Sequence, residues 1–226
     1  MTVKYIDTYS KKWSVALVGV LSFAYCIFAL PFHIPMAIYA IHNIQELMSS
    51  RFQQDRILTI LLITSLFLSL FIIVYSIRKQ RKNIKAFTSR FSELDLSNPQ
   101  PQNTVMNRTG WGYMALDTKK GTLLYINHPD TTVFNFFFPK DVRVMGFGMY
   151  DWKSIEVEGN TLRIYTGNPE LPSITIATGK ANQLYEKINA MRNQTWTYEY
   201  SIPGYVEHQA KRIADAQGLN LILPPK

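Results

Sequence analysis

The chain has 226 residues, 47% hydrophobic and 18% charged, with a single cysteine and a formal net charge of +8. One cysteine excludes an intramolecular disulfide framework and a cysteine-rich zinc site. Residues 1–85 hold ten Lys/Arg against three acids, a balance of +7, whereas residues 86–226 hold fourteen against thirteen; a basic nucleic-acid-binding domain is therefore excluded, and no nucleic acid partner is expected.

In chain order, the first feature is the uncharged run WSVALVGVLSFAYCIFAL from Trp13 to Leu30, continued by apolar residues through Pro31 and Pro35. A second uncharged run, ILTILLITSLFLSLFIIVYSI, covers Ile57 to Ile77. A bilayer core of about 30 Å takes roughly 20 helical residues, so the pattern predicts spans over 13–35 and 57–77. The polar stretch 42–56 would join them as a hairpin loop. Pro31 and Pro35 would kink or end the first helix, since each lacks an amide donor. Cys26 falls inside the first run, a poor place to form a thiolate. Ser65 and Ser69 form a small-xxx-small pair, and His33 is read as a polar residue at headgroup level.

Five positive charges follow within Arg78–Lys85. With Lys4, Lys11 and Lys12 on the other flank, they predict a two-pass protein of the bacterial inner membrane with both termini cytoplasmic. Arg78, Lys79, Arg81, Lys82 and Lys85 are thereby candidate contacts to anionic lipid headgroups, and membrane lipids expected partners. Residues 1–85 read as the membrane anchor. Residues 86–109, with the Pro/Gln/Asn stretch SNPQPQN at 97–103, read as a linker.

From Gly112 the pattern becomes that of short strands. GYMALDT (112–118) and GTLLYIN (121–127) flank Lys119-Lys120, a hairpin signal. TTVFNFFF (131–138), VRVMGF (142–147), WKSIEVEG (152–159), TLRIYT (161–166) and SITIAT (173–178) follow, and Gly159-Asn160 marks a tight turn. In KANQLYEKINAMR the apolar residues Leu184, Ile188 and Met191 share one side of a helix. Residues 194–226 form a C-terminal extension with a short helix over 205–216.

No HExxH motif, paired Cys/His set or P-loop is present in the sequence. Gly146 and Gly148 make a lone GxG, and Asp141 and Asp151 sit where strand-end turns place aspartate. Neither an enzymatic activity nor any cofactor or metal is expected. The aromatic run Phe134, Phe136, Phe137 and Phe138, followed by Met149, Tyr150 and Trp152, stands out. Most of it suits a core, but Phe137 takes the opposite strand face from its neighbours. Phe137, Tyr150 and Trp152 are the candidate partner surface.

Strands followed by one amphipathic helix over 110–193 resemble the pleckstrin-homology-like fold in its bacterial forms. Together with the two apolar runs, the resemblance gives an expected α+β class: a two-helix transmembrane hairpin followed by a pleckstrin-homology-like antiparallel β-domain capped by a C-terminal helix. The segments GWGYMALDTKKGTLLYI (110–126) and VRVMGFGMYDWKSIEVEGNTLRIYT (142–166), after the double span, resemble the entry-exclusion proteins of IncI-type conjugative plasmids, the ExcA-like group. That resemblance implies a protein that blocks redundant plasmid transfer by recognising an inner-membrane component of the donor's conjugation apparatus. A membrane-anchored lipid-binding or scaffold module is the alternative; lipid binding would draw on Lys119, Lys120 and Lys140.

Overall fold

The structure, a computed structural model, describes residues 4–5, 30–49, 53–107, 112–128, 141–169 and 171–223. It divides into two compact units, one drawn from Met1–Lys11, Ile77–Thr131 and Pro139–Lys226, the other from Lys12–Ser76 and Thr132–Phe138.

The second of these units holds α1 (Leu30–His42), α2 (Ile44–Ser49) and the first part of α3 (Gln53–Glu93). Pro31 lies in α1 next to Leu30, the first described residue of that helix. Pro35 lies inside the helix, which nevertheless continues to His42. The small residues Ala37, Ala40 and Thr59 are buried, and His33 Nε2 lies 2.6 Å from Ser65 Oγ.

These helices correct the expected hairpin. Among the described residues no helix is long and apolar enough to cross a membrane. Of α1 the described residues cover Leu30–His42. The helix α3 is long, at 41 residues, but its second half is strongly charged. The transmembrane hairpin, and with it the two-pass inner-membrane location, is therefore overturned. Most of the first expected span, 13–29, lies outside the described residues.

The larger unit is built on nine strands among the described residues. A six-stranded sheet has the order β1-β9-β5-β4-β3-β2, and a three-stranded sheet the order β6-β7-β8. The strands are β1 (Lys4–Tyr5), β2 (Thr104–Met106), β3 (Gly112–Asp117), β4 (Thr122–Asn127), β5 (Asp141–Gly148), β6 (Ser154–Glu158), β7 (Thr161–Asn168), β8 (Leu171–Ala177) and β9 (Asn220–Leu223). Helices α4 (Ala181–Arg192) and α5 (Ile202–Gln217) complete it. Gly218, at φ 63°, ends α5: its amide donates to Ala214 O and Asp215 O, a left-handed cap that glycine adopts without a Cβ penalty.

Two cores lie on opposite faces of the six-stranded sheet. Toward one face Ala115, Leu124, Ile126, Val142 and Val144 pack with Ile84, Phe87 and Phe91 of α3 and with Val206, Ala210 and Ile213 of α5. Toward the other, Met114, Leu116, Leu123, Met145 and Phe147 pack with Leu162, Ile164, Ile174 and Ile176 of the smaller sheet and with Leu184, Ile188 and Met191 of α4. The order is thus helices, sheet, then a second sheet with its helix.

This arrangement corrects the pleckstrin-homology-like expectation as well. There are two separate sheets, and β9 pairs in parallel with both β1 and β5. Two helices from distant parts of the chain, rather than one terminal helix, cover the larger sheet. The stretch 86–109 is likewise no bare linker: α3 runs to Glu93, with Phe87 and Phe91 both 0% exposed, and β2 joins the sheet edge. The expected strand 131–138 lies outside the described residues.

Candidate functional site

Three stretches meet on one side of the larger unit: the β3–β4 loop, the turn after β5, and the α4–α5 connection. The loop is organised by Asp117, whose Oδ1 accepts the amides of Lys119 and Lys120 at 3.0 and 3.2 Å, while Oδ2 accepts the Asn98 amide at 2.9 Å. The turn after β5 is closed by Asp151, whose Oδ2 accepts the Gly148 amide at 2.6 Å. Asp151 is thus a turn aspartate. Asp141 is buried and accepts the Asn220 side-chain amide at 2.8 Å.

The α4–α5 connection straps these pieces together. Trp196 packs over Gly121, which has φ +64° and where a Cβ would lie 2.3 Å from the indole Cδ2. Tyr198 packs over Gly148, where a Cβ would lie 2.8 Å from the ring. The Tyr198 hydroxyl donates to Gly121 O at 2.5 Å and accepts the Met149 amide at 2.9 Å. Burial pushes the Tyr198 hydroxyl above its ordinary value, which keeps it a donor. The indole N–H of Trp196 donates to Met191 O at 2.8 Å. The GxG pair therefore serves packing, since Gly146 faces Val206 of α5 in the same close manner.

Tyr150 stands on this strap. Its hydroxyl accepts the Trp196 amide at 3.0 Å, and its ring meets Tyr198 edge-on at 6.2 Å. It is nonetheless 63% exposed. Tyr200, two residues beyond Tyr198, is 45% exposed and stacks on Tyr205 at 4.5 Å. A tyrosine pinned at its hydroxyl and open along its ring offers a large contact area with little rotamer entropy left to lose.

The other sequence candidates are placed as follows. Trp152 is 4% exposed, with Arg192 lying 4.9 Å over its ring, and so belongs to the core. Phe137 lies outside the described residues, as does Lys140. Lys120 is held by Asp95 at 2.7 Å, leaving Lys119 exposed alone. The basic run 78–85 is the outer face of a helix whose inner face is core. Arg78, Arg81, Lys82 and Lys85 are exposed and Lys79 half-buried, while Gln80, Asn83 and Ile84 are buried. Among the described residues no group of three or more His, Cys, Asp or Glu could hold a metal ion.

Two signals pointed to features that the sequence reading passed over. In TWTYEY (195–200) the aromatics Trp196, Tyr198 and Tyr200 recur at every second position, as in an extended strap. Ile84, Phe87 and Phe91 recur at helical spacing beneath the basic run.

The family model described as exclusion-determining protein matches residues 1–224. The chain belongs to that family, and its role lies in entry exclusion. No curated protein and no solved structure matches it.

Proposed function

We propose that this member of the exclusion-determining family acts by binding and carries out no reaction on what it binds. The larger unit recognises a component of the incoming donor's conjugation apparatus, and the partner engages the aromatic surface at Tyr150. The observation that carries this reading is the contrast at Tyr150 itself, a ring 63% exposed whose hydroxyl is held by the Trp196 amide. Among the described residues of this unit the exposed large apolar side chains are Met106, Tyr150 and Tyr200, and tyrosine is favoured at the centres of protein interfaces. The resemblance of residues 110–126 and 142–166 to the ExcA-like group supports exclusion of the IncI type.

The test is acquisition of a cognate plasmid by recipients expressing this protein alone. Acquisition should fall for the cognate plasmid and stay unchanged for an unrelated one. Exchanging residues 77–226 with those of a differently specific relative should carry the specificity with them. That boundary keeps the part of α3 that carries Ile84, Phe87 and Phe91, together with α5 and β9, with the sheet they cover or extend, which an exchange of 110–193 alone would not. Unchanged acquisition, or specificity that stays with residues 1–76, would overturn the reading.

A further inference from the structure

The second part of α3 and the helix α5 leave a cleft of about 640 Å³ between them. From α3 it is lined at 82, 85, 86, 89, 90 and 93, and from α5 at 209, 212, 213, 216 and 217. Both sets recur at three- and four-residue spacing, so each is one stripe of its helix, and the two stripes face each other. The floor is apolar or neutral: Ile213 and Gln209 are buried, and Ala86 is half-buried. The rims are cationic. Lys82 and Lys85 stand exposed on one side and Arg212 on the other. Arg90 is neutralised by Glu93 at 2.7 Å, so Lys82, Lys85 and Arg212 supply the uncompensated charge, +3 around one concavity.

We propose that this cleft binds an acidic, partly apolar peptide segment of a partner protein. Its carboxylates would meet Lys82 and Lys85 on one rim and Arg212 on the other, and its apolar side chains would settle on Ala86, Ile213 and Ala216. The size is that of a site taking several side chains at once. A single-stranded nucleic acid would need aromatic platforms for its bases, and no aromatic residue is among the described residues that line the cleft. A lipid surface is flat and would rest across the rims, leaving the apolar floor unused. Exposed ion pairs are individually weak, so the floor contributes affinity while the rims give selectivity and association rate. This site is separate from the aromatic strap and does not depend on the recognition proposed at Tyr150.

The test uses the full chain and a fluorescently labelled peptide of alternating glutamate and leucine pairs. Comparison probes are the same peptide with glutamine for glutamate, an oligothymidylate of equal charge, and phosphatidylcholine vesicles containing phosphatidylglycerol. The glutamate peptide should bind and weaken as salt is raised. Affinity should fall by about tenfold or more in Lys82→Glu/Arg212→Glu, by less in Lys82→Gln/Arg212→Gln, and stay unchanged in Lys119→Glu. Retained thermal midpoints in both double variants would show that the losses are local. No binding, equal binding of the glutamine peptide, or equal loss in Lys119→Glu would overturn the proposal. So would tighter binding of the oligonucleotide or the vesicles that the rim substitutions abolish.

Discussion

In β7, Leu162 and Ile164 are buried while Arg163 and Tyr165 between and beyond them are half-exposed, whereas in β4 every residue from Thr122 to Ile126 is buried. The difference follows from what lies on each side. The three-stranded sheet has one face in the core, and its other face carries a charged ladder in which Arg163 reaches Glu156 at 3.0 Å and Glu158 at 3.5 Å. The six-stranded sheet is covered by helices on one face and by the smaller sheet on the other. A strand buried on one side alternates; a strand buried on both becomes a continuous apolar run. Tolerance to substitution should therefore depend on residue parity in one sheet and be absent at either parity in the other.

Charge placed in the doubly covered sheet should have the largest effect. Leu123→Lys and Leu124→Lys point to opposite cores, yet each should cost more than about 4 kcal/mol, because an unpaired charge is buried either way. Denaturant unfolding of the larger unit would register both. If either were tolerated, one face of that sheet would be open, and the contrast with β7 would fail.

A somewhat smaller effect depends on pH. His128, just past β4, is 4% exposed, and its Nδ1 lies 2.9 Å from Asp141 O. Burial lowers its pKa from 6.5 to about 4, against the opposing pull of the Asp141 and Gln80 backbones. Between those values the unfolded chain takes up a proton that the folded chain refuses, so acid favours unfolding. The stability due to this residue is complete above about pH 6.5 and is lost as pH falls toward 4, up to about 3 kcal/mol in all. The stability difference between the wild type and His128→Gln should shrink across that window. A difference that is constant with pH would show that His128 titrates normally in the fold.

Packing against the helix face should give the next effect. At Gly146 a Cβ would fall 2.3 Å from Val206 Cγ2, so Gly146→Ala should cost about 1–3 kcal/mol by overpacking. Adding Val206→Ala should recover part of it, a coupling that a double-mutant cycle would measure. The smallest effect belongs to the open face. Arg163→Ala should leave the denaturation midpoint nearly unchanged, because its partners are solvent-screened.

The same contrast explains what the sequence disclosed. In the sequence Ile155 and Val157 alternate with polar residues along β6, as Leu162 and Ile164 do along β7, and the Leu184–Met191 stripe marks α4. β3 to β5 were legible as strands but not as to face, since both parities are apolar. β1 and β9 were hidden: each is a short segment that becomes a strand only through parallel pairing with chain distant in sequence. The apolarity of 57–77 suggested a span, because composition alone does not report what else the same helix must do. Just beyond it, Ile84, Phe87 and Phe91 place that helix in the core of the larger unit. At the candidate site Tyr150 was legible as an aromatic beside a turn. Trp152, two residues on, shares its chemistry and is nonetheless buried, a distinction set by the fold around Arg192 rather than by residue type.

The central claim, exclusion by recognition at the aromatic strap, is tested most directly by cognate-plasmid acquisition in recipients expressing Tyr150→Ala at wild-type protein level. With the thermal midpoint of the variant retained, acquisition should rise at least about tenfold toward that of recipients lacking the protein, as expected for loss of an interface anchor, while an unrelated plasmid is acquired as before. Undiminished exclusion by the folded variant would contradict the account.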